Sequence, residues 1–260
     1  MPLTFPSHAV AVVPLWRAFP RVLWPVPLVV GSVSPDLAYA IGWGGHVSHR
    51  WSTFLLYCVP VGLFFWFWLE TLVLPALTRS VGEVRGVRIA RLWQTRGLPG
   101  PRDLRGWLAG ALSIAVGAAT HVLWDGFTHK NQWPGEVLYP TVHFVAFGRA
   151  WYLANLLQYA SSLFGLVAMI AIARHALPRM PDVEPGQWRY LALIAFAWVL
   201  VCAVIILGFE RHHFRGMNVT GVIWYAFWKM AGLAIPVVTA AAVIILRPFR
   251  ATATVRRSAA

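Results

Sequence analysis

The stretch 107–129, "WLAGALSIAVGAATHVLWDGFTH", decides how the chain is read. From Trp107 to Phe127 it carries one charged side chain, Asp125. About 20 apolar residues in a helix cover the roughly 30 Å hydrocarbon core of a bilayer, so the segment is expected to span a membrane. Phe54 to Thr78, Ala150 to Ala173, Tyr190 to Phe209 and Gly221 to Leu246 have the same character. Val22 to Ile41 is a weaker sixth, interrupted by Pro25, Pro27, Pro35 and Asp36. The expected architecture is all-α, a polytopic membrane helical bundle of about six transmembrane helices in one domain, 1–260. A short additional helix from His8 to Trp16, with Ser7 as cap, precedes them.

Composition supports that reading. Of the 260 residues 58% are hydrophobic and 12% charged, and 15 are Trp, outside the balance of a soluble domain. The net charge of +13 does not point to nucleic acid, because Lys and Arg fall between the apolar spans rather than on one basic domain. With both termini cytoplasmic, 16 cations lie on the inner side and five on the outer, with Lys229 within a span, which satisfies the positive-inside rule. The expected location is the bacterial inner (cytoplasmic) membrane. The basic loop 79–106 and the basic tail 247–260 read as cytoplasmic segments held near anionic lipid, and the loop has room for a short amphipathic helix. Cys58 and Cys202 lie in apolar spans and read as packing residues. Residues 1–34 lack the basic start of a signal peptide, and Pro35 follows the possible cleavage site, so retention as a membrane segment is expected.

Six of the nine histidines fall in the three outer segments: His46, His49, His129, His143, His212 and His213. His121, Asp125 and His129 stand at steps of four. Positions four apart lie about 40° around a helix and about 6 Å along it, so His121 and Asp125 can grip one ion. His129, about 12 Å from His121, needs the helix to end after Gly126 and turn back, or else serves a second ion. An ionised Asp125 within a span costs about 3 kcal/mol and calls for a compensating partner. The plain alternative is that His121 and Asp125 hydrogen-bond each other and tie helices together.

A second string, "GSVSPDLAYAIGWGGHVSH" (31–49), puts Asp36 near the outer end of its span with His46 and His49 beyond it. Pro35 is expected to break the helix and turn Asp36 sideways, and glycines 42, 44 and 45 to let the loop fold closely. The alternative is a helix cap followed by a surface loop. His8 is harder to place: with residues 1–21 in the cytoplasm it lies across the membrane from Asp36, and a re-entrant hairpin would reunite them. In the fourth span Asn155, Gln158 and Ser162 form a polar stripe suited to interhelical hydrogen bonds or to a substrate headgroup. Lys229, about 12 Å below the outer end of its span, is placed to bind phosphate, to neutralise Asp125 or to snorkel. Glu210 with His212 and His213 offers further ligands or a solvated loop.

The order His8, Gly31-x3-Pro35-Asp36, His46 or His49, His121-x3-Asp125-x3-His129 resembles the bacterial family called domain of unknown function 4184. The likeness runs from "FPSHAVAVVPL" (5–15) through "PDLAY" (35–39) and "HVLWDGFTH" (121–129) to "LLQYASSLFG" (156–165). More distantly, the order is similar to membrane-bound metal-dependent hydrolases and to zinc-dependent phospholipases C. That resemblance implies His8, Asp36, His49, His121, Asp125 and His129 as metal ligands, with zinc, or else manganese, as the ion. A second HxxxE-type pair is missing after residue 130, so one or two ions are expected rather than three.

The leading expectation is a membrane-embedded, metal-dependent hydrolase that opens to the outer face. Its partner is a membrane lipid or lipid-linked phosphate, with Asp36 and Asp125 catalytic and Lys229, Asn155 and Gln158 at the substrate. A second reading uses Asp36 or Asp125 as proton donor in a metal-independent isoprenoid cyclase or isomerase, whose aromatic residues steady a carbocation. A third is a non-catalytic haem-binding or transport protein.

Overall fold

In a computed structural model the described residues are 5–41, 45–76, 103–130, 132–139, 142–146, 148–176, 196, 198–200, 202, 216–217 and 219–246. Nearly all of them are helical. Four helices are long and apolar enough to cross a membrane, within Phe54–Ala76, Leu104–Thr128, Leu153–Ile172 and Gly221–Val243. Most of the basic loop, the basic tail and most of the expected span from Tyr190 to Phe209 lie outside the described residues, as do Glu210, His212 and His213.

In chain order the elements are α1 (Phe5–Ala11), α2 (Val13–Ala18), α3 (Pro25–Ala40), the single turn α4 (Gly45–Ser48) and α5 (Phe54–Trp68) with a wide turn at Leu69–Val73. They continue with α6 (Leu104–Thr128), the short α7 (Gly135–Leu138), strands β1 (His143–Ala146) and β2 (Arg149–Tyr152), α8 (Leu153–Ala176) and α9 (Val219–Leu246). Asp103 caps α6 by accepting a hydrogen bond from the Gly106 amide at 2.7 Å, and α3 opens with Pro25, tolerated where a helix has no use for the amide hydrogen.

The centre of the bundle is the pair α3 and α6, which run in the same direction in a four-residue register. The Trp24 amide donates to Ser113 Oγ at 2.9 Å, Gly117 lies against Leu28 and Ser32, and His121 reaches Ser32 and Asp36. Two glycines allow the close approach. A Cβ on Gly31 would meet the Ile114 carbonyl and come within 2.6 Å of its Cα, and one on Gly117 would come within 2.7 Å of the Ser32 amide nitrogen. In hydrocarbon no water is expelled when helices meet, so backbone proximity and interhelical hydrogen bonds carry the association.

Against this pair α5 runs the opposite way. Trp66 covers Gly110, Gly62 faces Ile114, and Phe54 and Cys58 cluster with Ala118 and Val122. Both cysteines are free and buried, in keeping with packing roles. On the far side α9 runs antiparallel to α3: Gly232 lies on the Ala40 carbonyl, and Trp68 Nε1 donates to Thr239 Oγ1 at 2.9 Å.

Two expectations from the sequence are corrected. Helix α3 does not break at Pro35 but continues to Ala40. Proline removes the bond that the Gly31 carbonyl would otherwise accept, and Ser34 Oγ donates to that carbonyl instead at 2.8 Å. Likewise α6 does not end after Gly126 but runs through Thr128.

The N-terminal segment also finds its place. In α1, His8 lies beside Asp125 and Ser7 against Gly165 of α8, while Val12 packs with Leu23 and Leu28. Helices α1 and α2 therefore descend from the Asp36 end of the bundle, and α3 climbs back. Residues 5–11 thus do not lie at the opposite end of the bundle from Asp36.

Candidate metal centre

Asp125 sits one turn before the end of α6, buried among four imidazoles. Its Oδ1 lies 3.4 Å from His8 Nε2 and 3.5 Å from His129 Nδ1. Its Oδ2 lies 3.3 Å from His121 Nε2 and 3.5 Å from His49 Nε2. Asp36, one helix over, turns Oδ1 to His49 Nε2 at 3.4 Å and to His121 Nε2 at 3.8 Å. All six residues that the sequence suggested as ligands thus meet around one carboxylate, although they come from α1, α3, α6 and the turn after α4. Relative exposure is 2% for His8, 1% for His121 and 5% for Asp125, so water does not screen them.

The hydrogen bonds behind the cluster decide which ring nitrogens face it. His121 Nδ1 lies 2.7 Å from the Ser32 carbonyl, which only accepts, so Nδ1 carries the hydrogen. Ser48 Oγ spends its hydrogen on the Pro35 carbonyl at 2.8 Å and so accepts from His49 Nδ1 at 3.0 Å. In the neutral rings both Nε2 atoms therefore present lone pairs, 3.3 Å apart and aimed at carboxylate oxygens. Acceptors facing acceptors repel unless a cation lies between them. A proton on one imidazole relieves one of these contacts; a divalent ion relieves all of them. Consistent with this, His8 Nε2 and Asp125 Oδ1 are buried with no hydrogen-bond partner at good geometry.

The spacing fits an ion. Ligand atoms about 2.1 Å from a tetrahedral centre lie about 3.4 Å from one another, and the nitrogen–oxygen separations here run from 3.3 to 3.8 Å. Two ligand groups emerge, His8, His121 and Asp125, and Asp36, His49 and His121, each with its donor atoms within 4.8 Å of one another. His8 stacks on His121 with ring centroids 3.8 Å apart, which fixes both rings. His129, just past the end of α6 in extended backbone, turns its ring back to Asp125. Burial holds its imidazole below the ordinary histidine range, in the neutral form that binds metals.

The predicted substrate residues fare differently. Gln158, buried on α8, places its amide 3.1 Å from His129 Nε2 and so orients that ring. Asn155 is half-buried one turn earlier. Lys229 is exposed on α9, its Nζ 5.5 Å from the Tyr225 ring. Its neighbour Trp228 is buried against Tyr39, which in turn touches His49. His143 lies on β1 beside Tyr152, away from the cluster, and the side chain of His46 lies outside the described residues. Sequence reasoning missed Ser32 and Ser48. The two serines interrupt apolar or Gly-rich runs, but Ser32 acts through its carbonyl, which no side chain advertises.

Of these outer partners, Gln158→Ala is expected to weaken metal retention by about 10-fold with little change in unfolding temperature, the usual size of losing a second-sphere hydrogen bond. Metal titration of the purified variant checks it.

A sequence model for the family described as domain of unknown function (DUF4184) matches residues 1–246, nearly the whole chain. The chain belongs to the DUF4184 family. The match includes every residue of the cluster, from His8 to His129, and reaches through α9. No curated protein and no solved structure matches the chain, so the more distant likeness to hydrolases and phospholipases finds no counterpart there.

Proposed function

We propose that this DUF4184 member is a membrane-embedded, metal-dependent hydrolase acting on a lipid or lipid-linked phosphate. One observation carries the reading: imidazole lone pairs and two carboxylates, buried and fixed from behind, face one another at ligand–ligand distances. With neutral rings the Nε2 atoms of His49 and His121 set acceptors against the carboxylate oxygens, a contact that a cation between them relieves. Asp125 meets His8 and His129 at Oδ1 and His49 and His121 at Oδ2, so these residues together with Asp36 would hold one or two divalent ions.

A divalent ion, zinc or manganese, supplies Lewis acidity and acidifies water at an open position. Asp36, with 14% side-chain exposure against 7% for Asp125, is the carboxylate that water reaches more easily. It takes the proton as the water oxygen bonds to phosphorus, and returns it to the alcohol oxygen as the phosphorus–oxygen bond breaks. Asp125 stays between the imidazoles and holds their spacing.

The cation distribution orients the bundle with the centre towards the outer face. Arg17, Arg21 and the segment 79–102 then lie on the inner side. In that orientation Phe5, at the start of α1, lies on the outer side with the centre, and Leu246, at the end of α9, on the inner side.

Elemental analysis of purified protein is expected to give one to two zinc or manganese ions per chain. His121→Ala is expected to lose most of them. Wild-type protein without stoichiometric metal, while active on a polyprenyl substrate, would favour the Asp-acid cyclase reading, and a Soret band would favour haem.

A further inference from the structure

The segment 129–152 joins the end of one spanning helix, α6, to the start of another, α8, on the side of the metal centre. It contains α7 and the hairpin β1–β2, in which His143 pairs with Tyr152 and Ala146 with Arg149. Its apolar side chains stand out from the bundle: Trp133, Val137, Leu138, Val142, Phe144 and Val145 are all exposed, Val145 by 71%. A two-stranded ribbon has unpaired backbone groups along both outer edges, so it cannot lie in the hydrocarbon core. Six exposed apolar residues in so short a segment are equally out of place in water. The headgroup boundary satisfies both conditions, and Trp133, in edge contact with Trp51, is the residue type that anchors there.

Beside this segment lies a small, partly open cleft. His129 forms its inner wall, and Lys130, Glu136, Tyr139 and Tyr152 line the rest. Lys130 Nζ is held 4.0 Å over the Tyr152 ring, and the Tyr139 hydroxyl donates to the Phe127 carbonyl. With one cation and one carboxylate in its lining, the cleft suits a singly charged phosphodiester better than a free phosphate dianion.

We propose that α7 and the β1–β2 hairpin form a lip seated in the outer leaflet, and that the cleft beside it receives the phosphodiester headgroup of a membrane lipid on Lys130. The lip brings the headgroup to the wall formed by His129. Lys130 thereby takes the phosphate-binding part assigned from the sequence to Lys229, which sits elsewhere on α9. The choice of a lipid phosphate as ligand rests on the hydrolase reading; the seating of the lip does not.

Two measurements on the full chain, freed of metal with a chelator, test this. A nitroxide on Val145→Cys, in proteoliposomes of phosphatidylglycerol and phosphatidylethanolamine, is expected to collide more with oxygen than with a water-soluble nickel chelate. More frequent nickel collision, as in water, overturns the lip, and so does shielding from both agents, which would mean that protein covers the hairpin. In detergent, dihexanoyl phosphatidylglycerol is expected to bind more tightly than inorganic phosphate, and Lys130→Ala to bind it about 10-fold more weakly. Equal affinity for inorganic phosphate, or no effect of Lys130→Ala, overturns the headgroup site. Because both readouts are metal-free, their failure is separate from an elemental analysis that finds no metal.

Discussion

Asp125→Asn is expected to strip the centre of its metal while leaving the bundle folded. The amide keeps the shape of the carboxylate but loses its charge and replaces one acceptor oxygen with a donor. It would turn an N–H towards either the His8 and His129 pair or the His49 and His121 pair, and that side of the cluster would no longer coordinate. Losing a second-sphere partner costs about 10- to 100-fold in affinity, and losing the carboxylate that faces all four imidazoles is expected to exceed about 100-fold. Metal content after gel filtration should fall below about a tenth of wild type on that scale. A second readout separates ligation from packing: a chelator should lower the unfolding temperature of the wild-type protein, because metal binds only the folded state, and leave that of Asp125→Asn unmoved. A wild-type unfolding temperature indifferent to the chelator would sink the metal reading.

The second large effect lies away from the chemistry, at Gly31→Leu. Here the new side chain meets backbone, not a movable side-chain tip, because the Ile114 carbonyl and Cα stand where its Cβ must go. Overpacking that side chains can relieve costs about 1–3 kcal/mol; with backbone in the way the expected loss is more than about 3 kcal/mol. The helices must part to admit the side chain, and their separation sets the site, since Asp36 and the Ser32 carbonyl ride on α3 while His121 and Asp125 ride on α6. Gly31→Leu is therefore expected to lose thermal stability and metal together. Leu112→Ala, on an exposed face of the same α6, should change neither by much. Unfolding temperature and metal content measured on the same preparations decide it.

Much of the centre is legible in the sequence because its chemistry is costly in a membrane. An aspartate and a histidine four residues apart in an apolar span demand a partner, and the string from Asp36 to His49 offers one. The proline before Asp36 was the misleading signal. A helix that loses one backbone hydrogen bond need not break where a neighbouring serine replaces it, as Ser34 does for the Gly31 carbonyl. For His129 the sequence leaves open an early helix end or a second ion; α6 runs through Thr128, and one extended residue after it turns the ring back to Asp125.

The amino-acid sequence by itself determined that the chain is helical with segments long and apolar enough to cross a membrane, and which ionisable residues in them call for compensation, because burying charge and backbone in hydrocarbon carries penalties that composition exposes. It also pointed to the family through the ordered His, Pro-Asp and HxxxD elements between His8 and His129, and the family model matches residues 1–246. Only the tertiary structure decided that His8 joins the cluster, because whether a 14-residue stretch lies on a membrane or folds back into it depends on the groove that α3, α6 and α8 offer it. It alone decided the tautomers of the neutral His121 and His49 rings, through the Ser32 carbonyl and the Ser48 hydroxyl. Those outcomes depend on distances between segments far apart in the chain, which close contact at Gly31 and Gly117 sets and which no local pattern encodes.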